Sequence, residues 1–398
     1  MSIFDTLGVR PIINAAGPVT RLSGGAVHPE VAEAMAEAAQ ACFRIDELQE
    51  AAGRYLAEVT GAEAGYVTSG AAAGLAIGAA ACVAGLDVAA MDRLPDTTGA
   101  RDEIIVQRAH FNAYTHALRL CGARLLEVGY LGYPGQGITW PWQVEAAISE
   151  RTAAIACAVG NDQGVVPLDE LAAIGKRHGV PVIVDAAGAL PPVENLRTFI
   201  EAGADLVAFS GGKGIGGPQA SGILVGRADL IESVALQHQD MDVYPETWTW
   251  RERYIDSGRL PGPPHHGMGR PMKVGKEEIA GLIVALRRFL ERDHAADRRA
   301  HESQLLAIRD ALDGIPGIDA ELLDDRAARR PYPTLLITVD ETIVERSVED
   351  LINDLMEHKQ PVGVSQNFLH LRAIGIVASA MKPGEERIVA ERLTSLLR

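Results

Sequence analysis

Two rhythms of hydrophobic and polar residues alternate along most of this chain. Short apolar runs stand at Ala64–Thr68, Glu103–Gln107, Ala123–Val128, Ala153–Val159, Val182–Val184, Leu206–Phe209 and Gly222–Val225. Between them, apolar positions recur every three or four residues, the spacing of a helix with one buried face. That pattern predicts helices from His28 (with Val31, Met35 and Ala38 inward), over about Asp46–Thr60, from Ala71 through the alanine-rich run, after His110 to about Leu120, and over Trp142–Ser149, Leu168–His178 and Ala228–Gln237. Gly61 follows the second of these as a helix-ending glycine does. Strands alternating with helices predict a largely parallel sheet covered on both faces.

Three stretches break the rhythm. Residues 1–27 contain Ile12-Ile13-Asn14, then Ala15-Ala16-Gly17-Pro18 and Ser23-Gly24-Gly25, and read as an extended arm ending in a polar loop. Residues 239–275 carry Trp248, Trp250, two histidines and several prolines and glycines, a loop length that in a compact domain points to function. From Lys276 the order is helix, helix, strand (Thr334–Val339), helix (Val348–Glu357), strand (Leu371–Ile376), helix (Glu385–Leu397), which predicts a smaller α+β domain. The expected division is therefore an N-terminal arm and helix over 1–45, a large domain over 46–262 and a small domain over 263–398.

Composition narrows the function classes. The chain has 398 residues, 47% of them hydrophobic and 23% charged, as in a globular enzyme. Its formal net charge is −16, and the arginines at 287, 288, 292, 298 and 299 are interleaved with acids. Binding to nucleic acid or an anionic membrane is not expected of such a surface. The cysteines Cys42, Cys82, Cys121 and Cys157 lie far apart in apolar or alanine-rich contexts and are expected to be buried free thiols. The apolar run Gly70–Ala84 is too short to span a bilayer, and residues 1–20 show no signal pattern. A cytoplasmic protein is expected.

The candidate chemistry collects where predicted strands end. In Ala204–Gly217, ADLVAFSGGKGIGG, Lys213 stands among five glycines just after an apolar run. Asp185 ends PVIVDAAG, and a carboxylate at the end of a buried strand is costly unless it serves a partner. Ser69-Gly70-Ala71 joins a strand to a helix, whose first N–H groups and dipole favour an anion; Ser69 by itself also reads as an N-cap. Asn161-Asp162-Gln163-Gly164 ends a further strand with amide donors, and Ser210 lies three residues before the lysine. An amine, an anion seat and a carboxylate match the needs of pyridoxal 5′-phosphate: an imine to lysine, a phosphate anchor, and an acid beside the pyridine nitrogen. Rival motifs fail. Val207 and Gly214 break a P-loop, the glycines lead to Pro218 and a strand where a dinucleotide fingerprint opens a helix, His265-His266 lacks metal-ligand spacing, and there is no GxSxG.

The order SG(A)–H–NxxG–DxAG–SxxK resembles the fold-type I pyridoxal-phosphate enzymes, nearest the class V aminotransferases and the selenocysteine synthase group. VGNDQGVVPLDELAAIGKRHGVPVIVDAAG is close to that superfamily's wording, and the resemblance covers most of residues 10–290. INAAGPVTRLSGG, QRAHFNAYTHALRLCGARL and GRPMKVGKEEIAGLIVAL are most similar to the D-glucosaminate-6-phosphate ammonia-lyase branch. The resemblance implies a large domain with a mainly parallel seven-stranded sheet. It implies Lys213 as the Schiff-base lysine, Asp185 as the pyridinium partner and His110 stacked on the ring. It also places Ser69, Gly70, Ala71 and Ser210 at the phosphate, Asn161 or Gln163 near the 3-hydroxyl, and Ala187 among the cofactor's contacts. An arginine expected in IVASAMKPGEE is missing, and Lys382 is the cation there. Arg270, Arg372 and Arg21, with Asn14 and Thr20, are then the substrate-binding candidates. A homodimer or larger assembly with shared sites is implied, with the arm and Gly267–Arg270 reaching a neighbouring subunit.

The expected reaction is Cα deprotonation and β-elimination of a β-hydroxy amino acid or amino-sugar acid, giving a 2-keto acid and ammonia. Racemisation, aldolase-type cleavage and transamination use the same cofactor and remain open. Transfer onto a tRNA-bound substrate, as in selenocysteine synthases, is disfavoured by the acidic charge.

Overall fold

The computed structural model describes residues 2–131, 137–160, 163–238, 243–323 and 332–398. Packing divides the chain into two compact units, residues 28–290 and residues 1–27 with 291–398. This division differs from the expected one because two flanking helices pack with the large unit. At Gly281 the Lys276–Glu291 helix lies against Met35 of the Pro29–Ala39 helix and against Pro218, and its Leu282 packs on Gly211 of the lysine loop.

The large unit is built on a seven-stranded sheet. In chain order its strands are β1 (Ala64–Thr68), β2 (Glu103–Gln107), β3 (Arg124–Val128), β4 (Thr152–Ala158), β5 (Val182–Asp185), β6 (Leu206–Ser210) and β7 (Gly222–Gly226). Across the sheet they run β1-β7-β6-β5-β4-β2-β3. Only β7 is antiparallel to its neighbours β1 and β6; the remaining pairs are parallel. The central strands are buried along their length, as sheets covered on both faces are. Ala71–Ala84 is apolar on every side, so it has no face to give to water. It joins one core cluster through Leu75, Ala76, Ile77 and Ala80, with Ile104, Ala154, Ile183, Leu206, Ala208 and Leu224 of the sheet. Residues alternate between faces along a strand, so Val207 and Phe209 point the other way. There Phe209 meets Phe199 of the Asn195–Glu201 helix, with ring centroids 6.1 Å apart.

The small unit has a three-stranded antiparallel sheet in the order Ile318–Leu323, Thr334–Val339, Ala373–Ile376. Its core gathers Leu305, Ile308, Leu351, Leu355, Val389 and Leu393 from three helices against Leu335, Ile337, Ile374 and Ile376. The expected strand from Leu371 starts two residues later, because Leu369–Leu371 is a 3-10 turn and Arg372 takes a left-handed conformation at φ 53°. The arm is part of this unit: Ile13–Ala15 pairs in parallel with Val362–Val364, and the Val377 N–H donates to the Ala15 carbonyl at 2.8 Å.

The cysteine expectation needs a correction. Cys121 and Cys157 are buried, but Cys42 is exposed and Cys82 is half-buried. No helix among the described residues is long and apolar enough to cross a membrane.

Candidate active site

Strand register brings the site together. Gly222 of β7 pairs with Thr68 at the end of β1 on one side and with Ser210 at the end of β6 on the other. Asp185 ends β5 opposite Ala208, and β2 leads directly into the turn Arg108–His110. Because β7 is antiparallel to both neighbours, β1 runs in the same direction as β6. Ser69, Asp185, Ser210 and His110 therefore all stand at the C-terminal edge of the sheet, where α/β proteins build their sites.

The anion seat depends on one close approach. The Ala71–Ala84 helix starts at Gly70, which has φ 139° and supplies no capping side chain. A Cβ on Gly70 would meet nothing within 4 Å, whereas one on Gly222 would lie 2.4 Å from the Gly70 carbonyl carbon and 2.7 Å from the Ala71 nitrogen. The helix end is thus pressed against β7 and open in front. Thr68 Oγ1 donates to the Gly70 carbonyl at 2.9 Å and steadies the turn. Ser69 does not cap the helix, contrary to its local reading. Its hydroxyl donates to the Met272 carbonyl at 3.1 Å.

Lys213 sits in the connection from β6 to β7, a glycine-rich turn folded on itself. The Gly211 N–H donates to Ser221 O, Gly217 N–H to Gly211 O and Gly216 N–H to Lys213 O, at 2.8–2.9 Å. Although the connection joins antiparallel neighbours, its lysine is half-buried rather than solvated. Burial lowers the Lys213 pKa below its usual 10.5, and the attraction of Asp185 opposes that shift. Asp185 is shifted the other way: burial raises its pKa, while the Ala187 N–H at 3.1 Å and Lys213 pull it back. On the neighbouring strand the Cys157 thiol is pushed up to about 12 by burial and by Asp185, which keeps it protonated. The ring of Tyr114 lies 5.8 Å from Lys213 Nζ and is itself about half exposed, at 53%. His110, four residues before Tyr114, is buried.

This set fits pyridoxal 5′-phosphate. An amine biased towards its neutral form can bond a carbonyl carbon, and a half-buried carboxylate gains from a cation such as a protonated pyridine nitrogen. An uncapped helix end with space before it suits a phosphate. Lys213, Asp185, Ser69, Gly70, Ala71 and Ser210 would hold the group.

The remaining sequence candidates have varied surroundings. Gln163 is exposed, and Asn161 lies outside the described residues. Ala187 contributes its N–H to Asp185. Arg270 begins the turn Arg270–Met272 and its guanidinium donates to the His265 carbonyl. Asn14, Thr20, Arg21 and Arg372 belong to the small unit. The Asn14 amide nitrogen donates to Gly17 O and Gly24 O at 3.0 and 2.5 Å, and its oxygen accepts from the Ala16 N–H, so the side chain ties the arm's own loop. Arg21 donates to Val364 O at 3.2 Å, and Arg372 is ion-paired with Glu341 at 3.4 Å. The backbone N–H groups of His265 and His266 both donate to Asp92. Among the described residues no three His, Cys, Asp or Glu side chains cluster as metal ligands. Tyr114, His238 and Met272 had no role in the sequence reading; only the position of Tyr114 just beyond a strand hinted at the site.

The family described as aminotransferase class-V matches residues 19–254, more than half of the chain. The chain belongs to this family. Its members with this architecture are fold-type I pyridoxal-phosphate enzymes, so an enzyme is established and the cofactor is implied. Two relatives are similar over almost the full length. A 5′-C-glycyluridine monooxygenase-decarboxylase from a Streptomyces species is 36% identical over 99% of this chain and 92% of its own. A D-glucosaminate-6-phosphate ammonia lyase from Salmonella typhimurium is 30% identical over 99% and 98%. The solved structure of a D-glucosaminate-6-phosphate ammonia-lyase superposes with a TM-score of 0.82 at 29% identity, covering 100% of this chain and 98% of that one.

Proposed function

We propose that this class V family member is a pyridoxal-phosphate-dependent ammonia-lyase acting on a β-hydroxy amino acid or amino-sugar acid. The Cα proton and the β-hydroxyl leave together as water, and hydrolysis of the resulting enamine returns that water. The net products are a 2-keto acid and ammonia. The observation that carries the reading is the pairing of a burial-shifted lysine with a half-buried carboxylate at one sheet edge, joined by the full-length similarity to an ammonia lyase.

When bound, the cofactor supplies an electron-accepting ring that makes loss of the Cα proton feasible. The chain supplies the rest. Lys213, biased towards the neutral amine, accepts the Cα proton. Asp185 would keep a proton on the ring nitrogen, and His110 would be the residue to pack against the ring. The helix end at Gly70–Ala71, with Ser69 and Ser210, would hold the phosphate. Tyr114 walls the approach to Lys213 Nζ. Arg21, Arg270 and Arg372, with Asn14 and Thr20, are the candidates for anionic or hydroxylated substrate groups, in an assembly of at least two chains.

The test is ammonia release from a panel of D- and L-3-hydroxy amino acids and aldonic amino acids, alongside the absorption spectrum of Lys213→Ala. An imine absorption band left unchanged by Lys213→Ala refutes the reading. A second reading, oxygen-dependent decarboxylation of an amino acid attached to a sugar, has its own support in the 36% identity to the Streptomyces enzyme. Anaerobic ammonia release favours the first reading; oxygen uptake with release of carbon dioxide favours the second. A monomer of full activity in sedimentation refutes the shared-site assembly.

A further inference from the structure

Behind the anion seat lies a chain of polar contacts that the proposed chemistry does not use. His238 closes the Ala228–His238 helix and is buried, at 7% exposure. Its Nε2 is 2.8 Å from the Met272 carbonyl and its Nδ1 is 3.0 Å from the Tyr66 hydroxyl, whose ring stands edge-on at 5.2 Å and 84°. A carbonyl can only accept, so Nε2 carries a proton. Burial lowers the pKa of this histidine, so Nδ1 keeps its lone pair and accepts from Tyr66. The two partners together select one neutral tautomer.

The Met272 carbonyl also takes the Ser69 hydroxyl at 3.1 Å. Two donors, Ser69 and His238, therefore share one oxygen with two lone pairs. The segment bearing that oxygen is pressed against the helix end. The Gly269 N–H donates to Gln237 O at 2.9 Å, the Met272 N–H donates to Gly269 O at 2.8 Å, and a Cβ on Gly269 would lie 2.6 Å from the His238 Cα. The carbonyl cannot simply follow Ser69 if the serine turns.

A serine hydroxyl has one proton. It cannot donate to Met272 and to a phosphate at the same time. We propose that His238 is a positioning residue for the anion seat: by holding the Met272 carbonyl, it releases the Ser69 hydroxyl to donate to the cofactor phosphate. With His238 in place, turning Ser69 leaves the carbonyl with a charge-neutral N–H partner. Without that N–H, the carbonyl recaptures the hydroxyl, because leaving an acceptor unpaired costs more than the net gain of an ordinary hydrogen bond. Tyr66 acts one step further back, by fixing the tautomer. This inference rests on the reading of Gly70–Ala71 and Ser69 as the seat of the cofactor phosphate.

The test compares His238→Met, which keeps the bulk and loses the donor, with His238→Gln, which keeps a donor. Dissociation constants for pyridoxal 5′-phosphate and for pyridoxal are measured by absorbance titration, with thermal unfolding of each variant as the folding check. The expected result is that His238→Met weakens pyridoxal phosphate about tenfold, the scale of one lost hydrogen bond to a charged group, and leaves pyridoxal unaffected. His238→Gln restores most of the loss, and His238→Met adds nothing in a Ser69→Ala background. Equal weakening of both ligands, a full effect in the Ser69→Ala background, or wild-type affinity in His238→Met overturns the proposal. Should His238→Met fail to fold, Tyr66→Phe carries the same comparison, with a phosphate-selective loss expected and an unselective one refuting. A wild-type protein that binds no pyridoxal phosphate refutes the parent reading instead, which separates the two failures.

Discussion

Gly222→Ala is a one-methyl test of the anion seat. Its new Cβ would stand 2.4 Å from the carbonyl carbon of Gly70, 2.7 Å from the Ala71 nitrogen and 2.8 Å from the Gly70 Cα. All three are backbone atoms, so no rotamer change relieves the overlap. Carbon atoms in contact normally sit about 3.5–4.0 Å apart, so something must give by about 1 Å. Gly222 is held by register to Thr68 on one side and Ser210 on the other, so the part that yields is the turn at the helix start. Overpacking of this kind costs about 1–3 kcal/mol, a loss a domain of about 5–15 kcal/mol survives. The same displacement would move the first helical N–H groups out of line with a phosphate bound as proposed, and a misaligned hydrogen bond weakens steeply. Urea unfolding of the cofactor-free protein and a titration with pyridoxal phosphate read the two effects separately. The expected outcome is a lower unfolding midpoint with an unchanged slope, and a cofactor affinity reduced at least about tenfold, or ~1.4 kcal/mol. A variant that unfolds at the wild-type urea concentration and binds the cofactor as tightly refutes both the close approach and the seat.

Three further outcomes follow from the same geometry. Burial places the Lys213 pKa below 10.5, so below that pH a larger fraction of it is neutral than of a surface lysine; pulse acylation of the cofactor-free protein at mildly alkaline pH, read by mass spectrometry, should show Lys213 with a higher rate per accessible amine, and a rate equal to surface lysines counts against the shift. Asp185 is raised above 3.8, so its charge burdens the cofactor-free fold fully above the raised value and not at all below 3.8. Asp185→Asn should therefore stabilise the cofactor-free protein at neutral pH, with the gain fading towards acid, while cofactor binding drops; stability that falls at neutral pH contradicts the assignment. Asn14→Ala strips partners from the carbonyls of Gly17 and Gly24 and should destabilise the protein by about 1–3 kcal/mol in urea melts, and a raised KM at unchanged stability would instead make Asn14 a substrate ligand.

Much of both units is legible because their strands are bounded apolar runs and their helices have a clear period. Leu168–His178, Val348–Glu357 and Glu385–Leu397 match their expected bounds, as do the strands Ala64–Thr68, Glu103–Gln107 and Thr334–Val339. The strand Ile318–Leu323 was missed although Ile318, Ala320 and Leu322 alternate with Asp319 and Glu321, because six residues after a long helix pattern give a weak break in period. Ile13–Ala15 owes its strand character to Val362–Val364, a partner over 300 residues away, and three residues carry no periodic signal. After His110 an α-helix was expected, but Asn112 caps a run of 3-10 turns over Ala113–Arg119. The chemistry divides in the same way. Lys213, Asp185 and Ser69 stand out because charges and hydroxyls at strand ends beside glycines are uncommon in a buried core. Tyr114 and His238 do not, because a ring edge and a backbone carbonyl leave no mark on residue type.

The position of β7 has a consequence for which ligand the site accepts. The amine-bearing loop and the anion seat belong to different segments of sequence, yet β7 alone separates the strands that end in them, and its Gly222 is registered to both. Any slide or tilt of that strand carries the two anchor points together, so the span between them behaves as a fixed gauge. On the proposed reading, a molecule bonded at one end and ionic at the other would be measured against that gauge. Selection by length would then fall to a strand whose own side chains are buried.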